Sequence, residues 1–105
     1  MPKENQIRKK AVEKLKGKNY IFWYPAKIKF KQNDIFGVFD LICWKKRVGE
    51  LKFIQLTTLP NLSTRRKKIK NFLKRNKISL SARSDIKIEI WAWSKREKKF
   101  RIIKI

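Results

Sequence analysis

Residues 35–44, IFGVFDLICW, form an almost unbroken apolar run interrupted by one acid, Asp40. After a turn at Lys46–Gly49 comes a second run, LKFIQLT (51–57), again apolar but interrupted by Gln55 and Thr57. Both read as strands, rich in Ile, Phe, Leu and Val and bounded by turn residues. Alternation along the first places Phe36, Val38, Asp40 and Ile42 on one face, so Asp40 is expected inside the strand rather than at its end. Two adjacent, mostly buried strands imply a sheet at the centre of the molecule.

Working outward, ENQIRKKAVEKLK (4–16) carries Ile7, Ala11 and Leu15 at i, i+4 and i+8, the apolar face of a helix closed by Gly17. The aromatic run YIFWY (20–24) is β-prone and ends at Pro25, and the alternating KIKFK (27–31) reads as an exposed strand or loop. Thr57–Asn61 breaks the pattern, and a very basic helix follows from about Ser63 to Asn76, with Leu62, Ile69, Phe72 and Leu73 as its apolar stripe. IKIEIWAW (86–93) and FRIIKI (100–105) read as a closing hairpin. The expected order is α-β-β-β-α-β-β, an α/β (α+β) arrangement of a sheet with helices packed on it.

The chain has 105 residues with 30 Lys and Arg against 8 Asp and Glu, a formal charge of +22. That length allows one domain, residues 1–105, with a single core. Four Trp, seven Phe, two Tyr and 42% hydrophobic residues argue for a folded chain despite the charge. No histidine is present and Cys43 is the sole cysteine, which excludes His-based catalysis, an intramolecular disulfide and a Cys-cluster zinc site. No run approaches a membrane span, and the charged start lacks the apolar segment of a signal peptide, so a cytoplasmic protein without a membrane partner is expected.

With so few acids, their placement is informative. Asp85, Glu89 and Glu97 sit among bases near the closing hairpin and are expected to pair at the surface, and Glu13 faces away from the helix stripe. Asp40 is different, because an ionised carboxylate among apolar residues is costly unless it meets a cation or hydrogen-bond donors. It either caps a loop, pairs with a base, or binds a divalent cation that also contacts phosphate. Gln55 interrupts the neighbouring strand, Thr57 shares its face, and Glu4 falls on the apolar side of the first helix. Asp34 is either a second carboxylate of such a site or the turn residue that its Asn33-Asp34 context suggests.

Arg65, Arg66, Lys67, Lys68, Lys70, Lys74 and Arg75 crowd into three turns of helix. Their mutual repulsion makes a phosphate backbone the natural counter-charge. Lys27, Lys29 and Lys31 form a second basic strip. No zinc finger, helix-turn-helix or phosphate-binding glycine pattern is present, so DNA would be bound by shape and backbone, without sequence specificity. Most aromatic residues belong to the core. An exposed ring would serve either to stack unpaired bases or as the seam of a homodimer.

The run Asp34-x-Phe36-Gly37-Val38-Phe39-Asp40-Leu41-Ile42, followed by Phe53-Ile54-Gln55-Leu56-Thr57-Thr58 and a basic helix, resembles the PD-(D/E)xK nuclease superfamily. It is most similar to small archaeal Holliday-junction resolvases and phage-type nucleases. The resemblance implies a restriction-endonuclease-like mixed sheet flanked by helices, and a metal-dependent endonuclease acting on DNA, with branched DNA as a candidate substrate. It makes Asp40 the metal-binding aspartate and Glu4 the helix acid, with Gln55 where the family usually has Glu and Thr57 where it usually has the catalytic Lys. Asp40, Gln55, Glu4 and Asp34 would hold Mg²⁺ or Mn²⁺. Arg65 or Lys68, on one helix stripe with Asn61 and Phe72, would supply the missing cation. The alternative is a non-catalytic DNA- or RNA-binding protein on a degenerate nuclease fold.

Overall fold

The computed structural model describes residues 4–25, 34–36, 38–46, 49–79 and 86–105, with Glu4 and Asn5 described by their backbone alone. Helix α1 (Glu4–Lys16) leads through a turn into β1 (Tyr20–Trp23). Strands β2 (Leu41–Lys45) and β3 (Glu50–Thr58) follow. A 3₁₀ turn (Leu59–Asn61) then opens helix α2 (Leu62–Arg75), and β4 (Ile86–Ser94) and β5 (Lys99–Lys104) close the chain. The fold is α+β, one five-stranded mixed sheet with two helices among the described residues.

Strands lie in sequence order, β1-β2-β3-β4-β5. All neighbours are antiparallel except β3 and β4, which run parallel. A parallel neighbour needs a crossover, and the connection containing α2 supplies it. The two helices pack on opposite faces. Ile7, Ala11 and Leu15 of α1 are buried against Tyr20, Leu41, Cys43, Ile54, Leu56 and Trp91. Ile69 of α2, fully buried, packs on the other face with Val38, Phe39, Ile88 and Ile90. Strand β4 is therefore covered on both sides, which explains its nearly continuous burial. The chain leaves α1 through Asn19, whose φ of +62° is the left-handed conformation that Asn tolerates best after Gly.

Asp40 does not lie inside a strand. The expected strand over 35–44 is replaced by a tight turn, in which Ile35 pairs with Phe39 and Phe36 takes a φ of +56°, and β2 begins only at Leu41. Packing decides this. The turn places the consecutive residues Val38 and Phe39 in one cluster on the α2 face, which strand alternation forbids, and sets the Phe39 ring 5.3 Å from Phe53 and 5.9 Å from Phe72.

Glu89 also departs from expectation. It is only 3% exposed, beneath α1 rather than at the surface. Trp91 Nε1 donates to its Oε1 at 3.0 Å, and Lys52 Nζ lies 3.3 Å from its Oε2. Glu97 does pair at the surface, with Lys99 and Arg101. Asp85 lies outside the described residues. Burial alone would lower the Lys52 ammonium, but the hydrogen bond with Tyr20 and the charge of Glu89 outweigh it and hold the group above its ordinary value.

Beside this pair, Cys43 is pushed up from 9.0 to about 12 by burial, with Lys52 opposing and Glu89 and Glu50 adding to the rise. Its thiol therefore stays protonated in the native state at pH 8, with roughly a thousandfold less thiolate than a thiol at 9.0. Alkylation at that pH should be slow in the folded protein and fast in urea; equal rates would show that the thiol is not shielded. The folded value is the raised one, so this contribution to stability is intact below pH 9 and is lost as pH climbs toward 12. Lys52 shifts in the same direction and adds to that alkaline loss.

Candidate functional site

A cleft of about 210 Å³ opens beside the C-terminal end of β3, between Ile7 of α1 and the start of α2. Asp34, Asp40, Gln55, Thr57, Thr58, Asn61 and Arg65 line it, so residues far apart in sequence meet there. Register accounts for the central pair. Leu41 stands opposite Ile54 in the antiparallel β2–β3 ladder, so the next rung sets Asp40 against Gln55. Both fall on the sheet face that α2 covers, since Phe53, two residues before Gln55, packs in the α2 cluster.

Asp40 is 6% exposed, and donors offset its desolvation. Its Oδ2 accepts from the Leu56 backbone N–H at 2.7 Å and from Gln55 Nε2 at 2.8 Å. Its own N–H donates to the Ile54 carbonyl at 2.9 Å. The carboxylate thus continues the ladder past the point where the β2 backbone turns away.

Gln55 is 2% exposed, and its Nε2 also donates to the Leu56 carbonyl at 3.1 Å. Both neighbours of Nε2 are pure acceptors, which fixes the amide orientation chemically. The other end, Oε1, is buried without a hydrogen-bond partner among the described residues, and so is Asp34 Oδ1. A buried unsatisfied acceptor costs about 1–3 kcal/mol. Asp34 and Gln55, which carry these oxygens, line one cleft with Asp40, and side chains of these types could ligate a hard divalent cation.

Cationic groups come from the next element. The 3₁₀ turn starts α2 directly after β3, with Pro60 in its first turn, and this brings Asn61 and Arg65 over the cleft. Arg65 is half-buried there, whereas Lys68 is exposed and does not line the cleft. Asn61 does not cap α2; its Nδ2 donates instead to Thr58 Oγ1 at 3.3 Å. The first turn of α2 contains no acid, so its positive end faces the cleft without a side-chain counter-charge of its own. Thr57, 8% exposed, offers a hydroxyl to the cleft but no charge.

Of the residues singled out in the sequence, Asp34, Asp40, Gln55, Thr57 and Arg65 meet in this cleft. Arg66, Lys67 and Lys70 are exposed on α2. Glu4 starts α1, but its side chain lies outside the described residues, as do Lys27, Lys29 and Lys31. No group of three or more His, Cys, Asp or Glu side chains gathers among the described residues, so the oxygen set depends on the Gln55 amide. The Leu56 N–H that anchors Asp40 had no signal in the sequence, because it is a backbone group placed by register. No helix among the described residues is long and apolar enough to cross a membrane. Comparison with protein-family models, curated proteins and solved structures finds no match to this chain.

The two donors on Asp40 Oδ2 set the outcome of its replacement. Asp40→Ala strands both and should cost about 3 kcal/mol, while Asp40→Asn keeps an acceptor for them and should cost about 1 kcal/mol. Urea unfolding of the two variants measures the difference, and equal losses would show that these bonds do not hold the turn in place.

Proposed function

We propose that the chain is a metal-dependent endonuclease of the PD-(D/E)xK type, acting on DNA without sequence specificity, with branched DNA as its candidate substrate. The observation that carries this reading is the unpartnered Gln55 Oε1, buried beside Asp40 and Asp34 in a cleft that also receives Arg65. Asp40, Gln55 and Asp34 would hold the ion, with Glu4 as the further acid that the family resemblance implies. Bound Mg²⁺ or Mn²⁺ would polarise the phosphate and lower the pKa of a coordinated water.

The remaining roles belong to the chain itself. Arg65 carries the charge that Thr57 lacks, and its guanidinium can donate to two phosphate oxygens at once. The uncapped start of α2 adds partial positive charge at the same place. Exposed Arg66, Lys67 and Lys70 hold the backbone on either side of the scissile bond. A restriction-endonuclease-like fold and a cytoplasmic setting belong to the same proposal.

Binding without catalysis is the second reading. It is favoured by Thr57, which leaves no cation on β3 near Asp40, and by the structural use of the Asp40 carboxylate. Nicking of supercoiled, single-stranded and four-way-junction DNA with Mg²⁺ or Mn²⁺ separates the two. Asp40→Asn should abolish cleavage and Arg65→Ala should slow it about 10²–10³-fold, with DNA affinity in EDTA largely kept by the former. Cleavage of none of the substrates with either metal would leave the binder. In either case about five phosphate contacts from α2 predict a slope of log K against log salt near −4 to −5.

A further inference from the structure

The sheet face that carries Asp40 and Gln55 is only partly covered. Among the described residues helix α2 packs over β3 and β4, and no element covers the β1–β2 end of that face. Register sets Ile21 opposite Trp44, Trp23 opposite Ile42, and Trp44 opposite Leu51, making one contiguous apolar surface. It is strongly exposed: Trp23 is 59%, Ile21 54% and Trp44 46% accessible. A shallow groove runs over these residues. The other two tryptophans behave as core, Trp91 buried and Trp93 partly buried beneath α1.

Two tracks run side by side from the cleft. Helix α2 starts where β3 ends and therefore runs back along it, in the same direction as β2. Phe72 meets Phe36 and Phe39, so its side of α2 faces the chain that enters β2. By helical steps Arg65, Lys68 and Arg75 lie on that side with Phe72, Arg65 at the cleft and Arg75 about 15 Å beyond it. On the sheet, Asp40, Ile42 and Trp44 cover about 13 Å in the same direction. One track is cationic and the other aromatic.

We propose that single-stranded nucleic acid lies in this trough, with unpaired bases stacked on Trp23 and Trp44 and phosphates against Lys68 and Arg75. The inference rests on the reading above that the chain binds nucleic acid, and it specifies an unpaired segment beside the strand to be cut. Charge complementarity selects the occupant. On this face of β1, β2 and β3 the carboxylates among the described residues are confined to the cleft end, and a second copy would bring another +22 against the first. A polyanion with flat apolar bases matches both tracks, whereas duplex DNA hides its bases.

Affinities for a single-stranded oligonucleotide, as DNA and as RNA, and for a duplex of equal length are measured in EDTA by fluorescence anisotropy. Trp23→Leu and Trp44→Leu should each weaken single-strand binding about tenfold and leave duplex binding unchanged. The Phe variants, which retain a ring, should keep most of the affinity. Single strands should also quench the exposed tryptophans of the wild type. Leu variants that bind single strands as tightly as wild type overturn the inference while leaving the nuclease reading intact. So does a dimer in sedimentation equilibrium that the Leu variants dissociate, which would make the surface a seam between copies. Failure to bind any of the nucleic acids removes both readings.

Discussion

The carboxylate of Asp40, bonded to the Leu56 N–H and the Gln55 amide, is the tie on which this end of the molecule depends. A buried carboxylate is tolerated only when donors replace water, and the Leu56 N–H and the Gln55 amide both belong to β3, so the charge fixes where the incoming turn meets that strand. That placement decides the rest of the cleft. It holds Gln55 Nε2 toward Asp40 and leaves Oε1 without a partner. A fold that gained nothing from an open acceptor would be expected to satisfy it. Within the proposed reading, that oxygen is where the ion would be held.

Acid placement sharpens the meaning of the basic excess. Glu50, Glu89 and Glu97 are each paired with Lys or Arg, and Glu13 is exposed on α1. Two further acids, Asp34 and Asp40, line the cleft. Helix α2 itself contains no acid against its seven Lys and Arg. Like charges three and four residues apart oppose this helix, and the burial of Ile69 with Leu62, Phe72 and Leu73 must outweigh them. Among the described residues no ion pair joins the cations of α2, whereas Lys52 beneath α1, where a lone charge would be most costly, is paired with Glu89.

Local periodicity made the helices legible, because Ile7, Ala11 and Leu15, like Ile69, Phe72 and Leu73, report one buried face each. The oddity of Asp40 was legible too, as an acid among apolar residues. Its position in the strand was not. An apolar run looks the same whether it extends or folds back, and the choice was made by Phe53 and Phe72, which are distant in sequence. Glu89 was misread for a related reason: Trp91 stands two residues along its own strand, but its other partner, Lys52, arrives from β3, and spacing along one strand cannot show that. The open β1–β2 face is also a tertiary fact, since nothing in YIFW says which of its sides a helix will cover.

Moving the positive charge from Thr57 to Arg65 has a mechanical consequence within the proposed reading. A lysine on β3 would be fixed by the sheet, independent of how substrate docks. Arg65 instead belongs to the helix that carries the phosphate-binding cations, so the groups that hold the backbone and the group that meets the scissile phosphate move as one body. Any shift of α2 over β3 then changes binding and chemistry together. The packing of Ile69 beneath that helix, remote from every phosphate, becomes a determinant of both. Precision at the cleft therefore rests on the apolar contact between α2 and the sheet as much as on the polar residues that line it.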